Sequence, residues 1–212
     1  MVINFYGEGC FKIQTGDTVI LTDSFDKSIG LTPPRIKPNI AIKTISPFPV
    51  AEEGESEDGV KIIFSAGEYN INGVSVAGFP VIKESTEKFL KTVYVVDAEN
   101  IRLCFLGHIS DVLEPSILEH LEEVDILFLP AGGAPFIGQK DAAKLARQLE
   151  PKIIVPSFYK QDGLKRKADD LKVFLGELGG TKDGFFKEQE KLSVKKKDIM
   201  EEKGMEVVAL KI

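Results

Sequence analysis

The sequence predicts an α/β (α+β) fold, with two sheets packed face to face and helices outside, in a single domain spanning residues 1–212. Three observations predict it. The first half of the chain is a run of short apolar segments separated by turn residues. The second half alternates fully apolar strands with amphipathic helices. No repeat, low-complexity tract or linker divides the halves, and 212 residues suit one large domain.

The elements follow in order. Residues 1–30 read as hairpins: VINFYG, then CFKIQTGDTVILTD with its turn at Thr15-Gly16-Asp17. Phe11, Ile13, Val19, Ile20 and Leu21 supply a buried face. Three prolines make residues 32–38 a loop, because Pro33, Pro34 and Pro38 lack ladder donors. A short strand covers residues 39–44 and ends in Ser46-Pro47-Phe48-Pro49. The acidic stretch 52–59 is a solvated loop. Strands follow at 60–64 and 74–81, with 66–70 and Asn72-Gly73 as turn material between them. A strand pair at 91–97 and 100–107 precedes a helix at 114–123. Residues 125–130 and 152–156 are buried strands. Helices cover 139–149 and 163–178, and strands at 191–195 and 206–211 close the fold.

Composition excludes several functions. Apolar residues are 43% and charged residues 28%, as in ordinary globular proteins. With 27 basic and 33 acidic residues the formal charge is −6, so no domain-wide basic footprint for nucleic acid exists. No apolar run reaches the ~20 residues of a membrane span. MVINFYGEGC lacks the charged start and apolar core of a signal peptide, so a cytoplasmic protein is expected. Cys10 and Cys104 sit in strand-like segments and read as buried thiols, outside any CxxC pair.

The order of segments resembles the metallo-β-lactamase fold superfamily, in its small Zn-dependent hydrolase branch, over nearly the whole chain. Carrying the resemblance are Gly7-Glu8-Gly9-Cys10-Phe11, Leu21-Thr22-Asp23-Ser24, Ala66-Gly67-Glu68-Tyr69 and Phe105-Leu106-Gly107-His108. Asp125–Gly133 and Leu149–Lys160 complete it. The resemblance implies a four-layer αββα sandwich. It also implies a metal loop, Thr-His-x-His-x-Asp-His, whose ions activate a water. Here the aligned stretch is Thr44-Ile45-Ser46-Pro47-Phe48-Pro49-Val50. Ile45, Pro47, Pro49 and Val50 take ligand positions, as does Phe158 in the last one, and none of these side chains can coordinate a cation. His108 is the one retained donor. A closed zinc site takes about four such ligands, and the chain has two histidines. No metal and no other cofactor is therefore expected.

Other residues could carry chemistry. His108 followed by Ile109-Ser110-Asp111 suggests a general base with Asp111 as its orienter, although no Gly-x-Ser-x-Gly elbow exists. A hydrogen-bonded loop histidine is the plainer reading. Glu8, Asp23, Glu68, Ser157 and Tyr159 would border the cleft, with Glu8 and Glu68 a candidate acid–base pair. Asp23 reads more readily as a receiver of backbone donors at a strand end. His120, among Glu119, Glu122 and Glu123, reads as a surface residue. The acidic loop lacks EF-hand order, and Gly132-Gly133 lacks the Lys-Ser/Thr of a P-loop.

The expectation is a metal-free, catalytically inactive member of this fold, acting as a scaffold or as a binder of a small ligand or protein. The alternative is a hydrolase with a non-standard site built from residues such as His108, Asp111, Glu68 and Tyr159, or using a residual hard cation. Self-assembly into a homo-oligomer through exposed sheet edges is a third reading. Neither nucleic acid nor membrane is expected as a partner.

Overall fold

A computed structural model describes residues 1–48, 58–179, 185–201 and 204–212. The chain runs through β1 (Val2–Phe5), β2 (Phe11–Thr15), β3 (Thr18–Thr22), β4 (Ile40–Ile42), β5 (Ile45–Pro47) and β6 (Lys61–Ile63). Next come β7 (Gly67–Ile71), β8 (Val74–Pro80), β9 (Phe89–Ala98) and β10 (Ile101–Phe105). The second half adds α1 (Pro115–Leu118), β11 (Ile126–Pro130), α2 (Gln139–Leu149), β12 (Ile153–Ser157) and α3 (Leu171–Leu178). It closes with β13 (Phe186–Gln189), β14 (Leu192–Ser193), α4 (Lys196–Glu201) and β15 (Glu206–Leu210).

The expected two-sheet α/β architecture is the one observed. One sheet has the order β14-β1-β2-β3-β4-β6, and the other β13-β15-β12-β11-β10-β9-β8-β7, with β5 added against β9. In the first, β1, β2 and β3 form an antiparallel meander before β4 and β6 join in parallel. In the second, β10, β11, β12, β15 and β13 run parallel. The local patterns explain the layers. β2 alternates, burying Phe11 and Ile13 and leaving Lys12 and Gln14 half-exposed. β11 and β12 are buried at every residue, as strands covered on both faces must be.

Phe11 of the first sheet meets Phe128 of the second edge-on at 4.7 Å, and Phe128 stacks on Phe105 at 4.2 Å. Each such buried ring contributes about 1.5–3 kcal/mol by leaving water. This aromatic seam sets how the sheets sit on each other. On the outer side, α2 turns Ala142, Ala143, Leu145 and Ala146 inward, and α3 lies beside it.

Several elements differ from the sequence reading. Residues 67–71 form an edge strand, paired Gly67↔Gly78 to Ile71↔Val74, because Asn72-Gly73 makes the tight turn of a hairpin. Residues 45–47 pair with β9 despite their proline, which is tolerated at a strand end. The helix expected over 114–123 is one α turn followed by a 3₁₀ turn over Glu119–Leu121. The strand β13 and the helix α4 were not anticipated.

The helix expected over 163–178 begins only at Leu171, capped by the Asp170 side chain on the Lys172 N–H. Before it, backbone groups bond across the molecule. Lys165 N–H donates to the Ile29 carbonyl, Asp169 N–H to Gly132, and Lys160 N–H to Asp169. Gly163, at φ 86°, packs against the Gly30 backbone. These bonds hold residues 160–170 as a loop over one end of the sandwich, where the chemistry-bearing side chains meet.

Candidate active site

Asp23 follows β3, Thr44 lies between β4 and β5, His108 follows β10, and Phe158 follows β12. The strands β3, β4, β10 and β12 have parallel neighbours, and the loops at their carboxyl ends converge. Beneath them, the Thr22 hydroxyl accepts from Phe11 N–H and donates to the Gly9 carbonyl, fixing the turn at 7–10.

The central feature is a hydrogen-bond chain. The Thr44 Oγ1 lies 2.7 Å from Asp23 Oδ2 and 2.7 Å from His108 Nδ1. Asp23 Oδ1 also accepts from the Thr44 N–H at 2.7 Å. As a carboxylate, Asp23 only accepts, so the single hydroxyl proton of Thr44 goes to it. Nδ1 must then donate to Thr44 Oγ1, which leaves Nε2 as the unprotonated nitrogen. Burial holds the His108 pKa below the ordinary value, opposed by Asp23 and aided by Lys91 and Arg166. The imidazole is therefore a neutral base near pH 7.

Gly107 makes this contact available. Its φ is 58°, and a Cβ there would stand 2.1 Å from Thr44 Oγ1. Glu84 fixes the next residues: it accepts from the Ser110 N–H and hydroxyl, both at 2.6 Å, and from the Asp111 N–H at 3.0 Å. Lys91 pairs with it at 2.7 Å. Burial opposes its ionisation, but the Lys91 and Ser110 hydrogen bonds prevail and hold its pKa below the usual carboxylate value.

His108 opens on a cleft of about 440 Å³. Phe158, Phe136 and Ile45 form its inner wall, with Phe158 edge-on to the imidazole at 4.9 Å and Phe136 at 5.7 Å. Phe25, Ile29 and Leu164 form the outer apolar wall. Arg166 seals one side. Its Nε lies 3.0 Å from both Glu8 oxygens, its Nη2 donates to Glu8 and the Phe158 carbonyl, and its guanidinium sits over Phe136 at 4.9 Å. Burial pushes the Glu8 pKa up against the opposing pull of Arg166. Gly9 is required here, since a Cβ would lie 2.5 Å from Phe158 Cζ.

The structure sorts the sequence candidates. His108 is in the cleft. Asp111 is exposed and caps Val112 N–H, so it does not orient the imidazole; Asp23 does so through Thr44. Glu68 is exposed on edge strand β7, and Glu8 is bound to Arg166, so the two form no acid–base pair. Tyr159 points into the core, donating to the Leu210 carbonyl and stacking on Phe5. Ile45 and Phe158 line the cleft rather than plug it, whereas Pro47 is exposed. Pro49 and Val50 lie outside the described residues, as does most of the acidic loop. His120 is exposed, stacked on Phe79. Both cysteines are free and buried, and burial pushes Cys10 up to about 12. Thr44, Phe136 and Arg166 were not singled out. The signal for Thr44 was its place just after a strand, as for Asp23.

The resemblance implies a metal, and a cation needs about four nitrogen, sulfur or carboxylate ligands. Of the nearby donors, Asp23 is committed to Thr44 and Glu8 to Arg166. Ile45, Phe136 and Phe158 offer none. Among the described residues no three of His, Cys, Asp and Glu gather where a cation could bind. These residues do not fit the family's metal centre.

Comparison with known proteins gives the relationship. A family model for the beta-lactamase superfamily domain matches residues 2–157. A UPF0173 metal-dependent hydrolase of Listeria monocytogenes serotype 4a is 26% identical over 199 residues, covering 75% of this chain and 85% of the relative. A Thermotoga maritima structure, assigned provisionally as a Zn-dependent hydrolase of the metallo-beta-lactamase superfamily, superposes with a TM-score of 0.76. It is 27% identical, and the match covers 99% of this chain and 97% of that one. A Parabacteroides distasonis structure, 18% identical with a TM-score of 0.59, shares the fold over 99% of this chain and 93% of its own. These relatives are named as hydrolases, which overturns the expectation of a catalytically inactive scaffold. That expectation equated catalysis with histidines at metal-ligand spacing. With the family model running from residue 2 to the end of β12, the chain belongs to the metallo-β-lactamase fold superfamily.

Proposed function

We propose that the protein is a hydrolase of the metallo-β-lactamase superfamily whose chemistry runs at His108. The observation that carries this reading is the Asp23–Thr44–His108 chain, with both links at 2.7 Å and opening on an apolar cleft. The hydrolase names of the relatives support it.

The geometry performs water activation. Asp23 polarises the Thr44 hydroxyl, which fixes the imidazole with its Nδ1–H inward and its Nε2 lone pair available. Nε2 takes a proton from a water as the hydroxide oxygen bonds to the acyl carbon of an ester-class substrate. The imidazolium formed is stabilised through Thr44 by the Asp23 carboxylate. His108 then returns the proton to the leaving oxygen as the carbon–oxygen bond breaks, releasing an acid and an alcohol. Phe136 and Phe158 exclude bulk water, which strengthens each of these electrostatic interactions. The free, buried Cys10 and Cys104 support a cytoplasmic place of action.

The test is a panel of 4-nitrophenyl esters, thioesters and lactones assayed with wild-type protein and His108→Ala. Turnover should fall by about 10²- to 10⁴-fold, the usual worth of a general base. A folded His108→Ala protein with wild-type turnover would overturn the reading.

A further inference from the structure

We infer that the substrate joins an apolar arm to an anionic group, read by Lys43 and Lys165 at the mouth of the cleft. The inference rests on the hydrolase reading above for its chemistry, but its charge logic stands separately.

Five charged side chains border the cleft: Glu8, Asp23, Lys43, Lys165 and Arg166. Three of them are spent on the protein itself. Glu8 and Arg166 neutralise each other, and the remaining Arg166 donors go to the carbonyls of Phe158 and Lys167. Asp23 is taken by the Thr44 amide and hydroxyl. Two cations remain. Lys43 has a single long hydrogen bond, to Ser24 Oγ at 3.4 Å, and no carboxylate within ion-pair distance among the described residues. Lys165 is exposed and anchored by its backbone N–H on the Ile29 carbonyl; the exposed Asp26 carboxylate feels its charge but makes no described ion pair with it. An ammonium offers three donors, so both keep capacity for a ligand.

The surroundings sharpen the argument. The chain carries a formal charge of −6, whereas the cleft is lined by three cations against two carboxylates, a local exception that draws anions against the field of the whole molecule. In the same cleft, Phe25, Ile29, Phe136 and Leu164 present hydrocarbon. A neutral apolar ester would leave the ammonium groups unanswered. A purely polar anion would leave the hydrocarbon wall unfilled. A small amphiphile satisfies both, and 440 Å³ is the size of a small-molecule site.

The experiment uses matched pairs. Turnover is compared for 4-nitrophenyl hexanoate and the mono-4-nitrophenyl ester of adipic acid, which has the same chain length but ends in a carboxylate. Binding is measured by calorimetry for the corresponding anilides, which resist hydrolysis, and hexyl phosphate is used as a competitor to separate carboxylate from phosphate recognition. The acid-bearing ester should be preferred by about 10-fold or more in kcat/KM, as expected for charge-assisted hydrogen bonds. The ratio should fall to about one in the Lys43→Met/Lys165→Met protein and shrink on raising sodium chloride, as for exposed charges. Equal turnover of the two esters, or a preference that survives the double substitution, would sink the inference and leave the hydrolase reading standing. Tighter binding of the acidic anilide without turnover of either ester would sustain the inference and sink the hydrolase reading. Failure of the wild-type protein to distinguish the anilides overturns it independently of catalysis.

Discussion

Replacing Thr44 by Val removes one hydroxyl and almost nothing else. Thr44 is 1% exposed, and valine fills the same volume. The substitution deletes a hydrogen bond to the Asp23 carboxylate and another from His108 Nδ1. The first, to a charged group, is worth about 1.5–3 kcal/mol, and the second about 0.5–1.5 kcal/mol. Asp23 keeps the Thr44 backbone N–H, which valine preserves, so the carboxylate is not left wholly bare. The expected loss is therefore about 2–4 kcal/mol of stability, seen as a Tm lower by about 4–16 °C for a chain of this size. Catalysis should suffer more than folding. With no acceptor for Nδ1–H, the imidazole is free to change tautomer and orientation, which should lower kcat by about 10- to 100-fold, part of the full worth of a general base. Thermal denaturation and steady-state ester hydrolysis measure the two effects, and Thr44→Ser, which restores the hydroxyl, should recover most of the rate. A folded Thr44→Val protein with wild-type kcat would refute the relay.

Five further outcomes follow from the same geometry. The rate of hydrolysis should have an acid limb with its midpoint below about 6.5, the unperturbed histidine value, because burial holds the His108 pKa down. With its folded pKa depressed, His108 also costs stability as pH falls below the unfolded value, which a series of denaturation curves between pH 5 and 7 would show. Gly107→Ala should destabilise by at least the roughly 1–2 kcal/mol of a left-handed non-glycine residue and drive Thr44 from the imidazole; NMR of the His108 ring would report the lost hydrogen bond. Glu84→Gln removes the charge holding Ser110 and Asp111, so it should cost about 1–3 kcal/mol in chemical denaturation and lower kcat more than it alters KM. Finally, exhaustive dialysis against a chelator should leave hydrolysis unchanged, since no described donor set suits a cation; loss of activity restored by zinc would contradict the geometry.

Much of this fold could be read from periodicity. The alternation of FKIQT and the unbroken apolar runs ILFLP and IIVPS state their burial directly, and α2 runs over the residues its apolar stripe marked. Where reading failed, tertiary bonds had overridden local preference. Residues 163–170 carry helical spacing but spend their backbone on Ile29, Gly132 and Lys160. Residues 67–71 look like turn material until β8 lies beside them. The site was less legible than the fold. His108 could be picked out because histidine is rare here, but its orienter was sought in Asp111, three residues away. The actual partner is Thr44, 64 positions distant in the chain, brought close only because Gly107 lacks a side chain. Apolar Ile45 and Phe158 leave open from sequence whether they fill the cleft or line it, and both side chains stand at its walls.

Asp23 is carried by one sheet and His108 by the other, with Thr44 at the crossing between them, its carbonyl accepting from Thr92 N–H of β9, so the proton path spans the seam where Phe11 meets Phe128. Reactivity here is consequently a gauge of alignment between layers. A slip of one ångström at that aromatic seam would stretch the Thr44–His108 link beyond hydrogen-bonding range while each sheet kept its own ladder intact. Substitutions in the middle of the sandwich, far from any bound molecule, should therefore silence the protein before they unfold it.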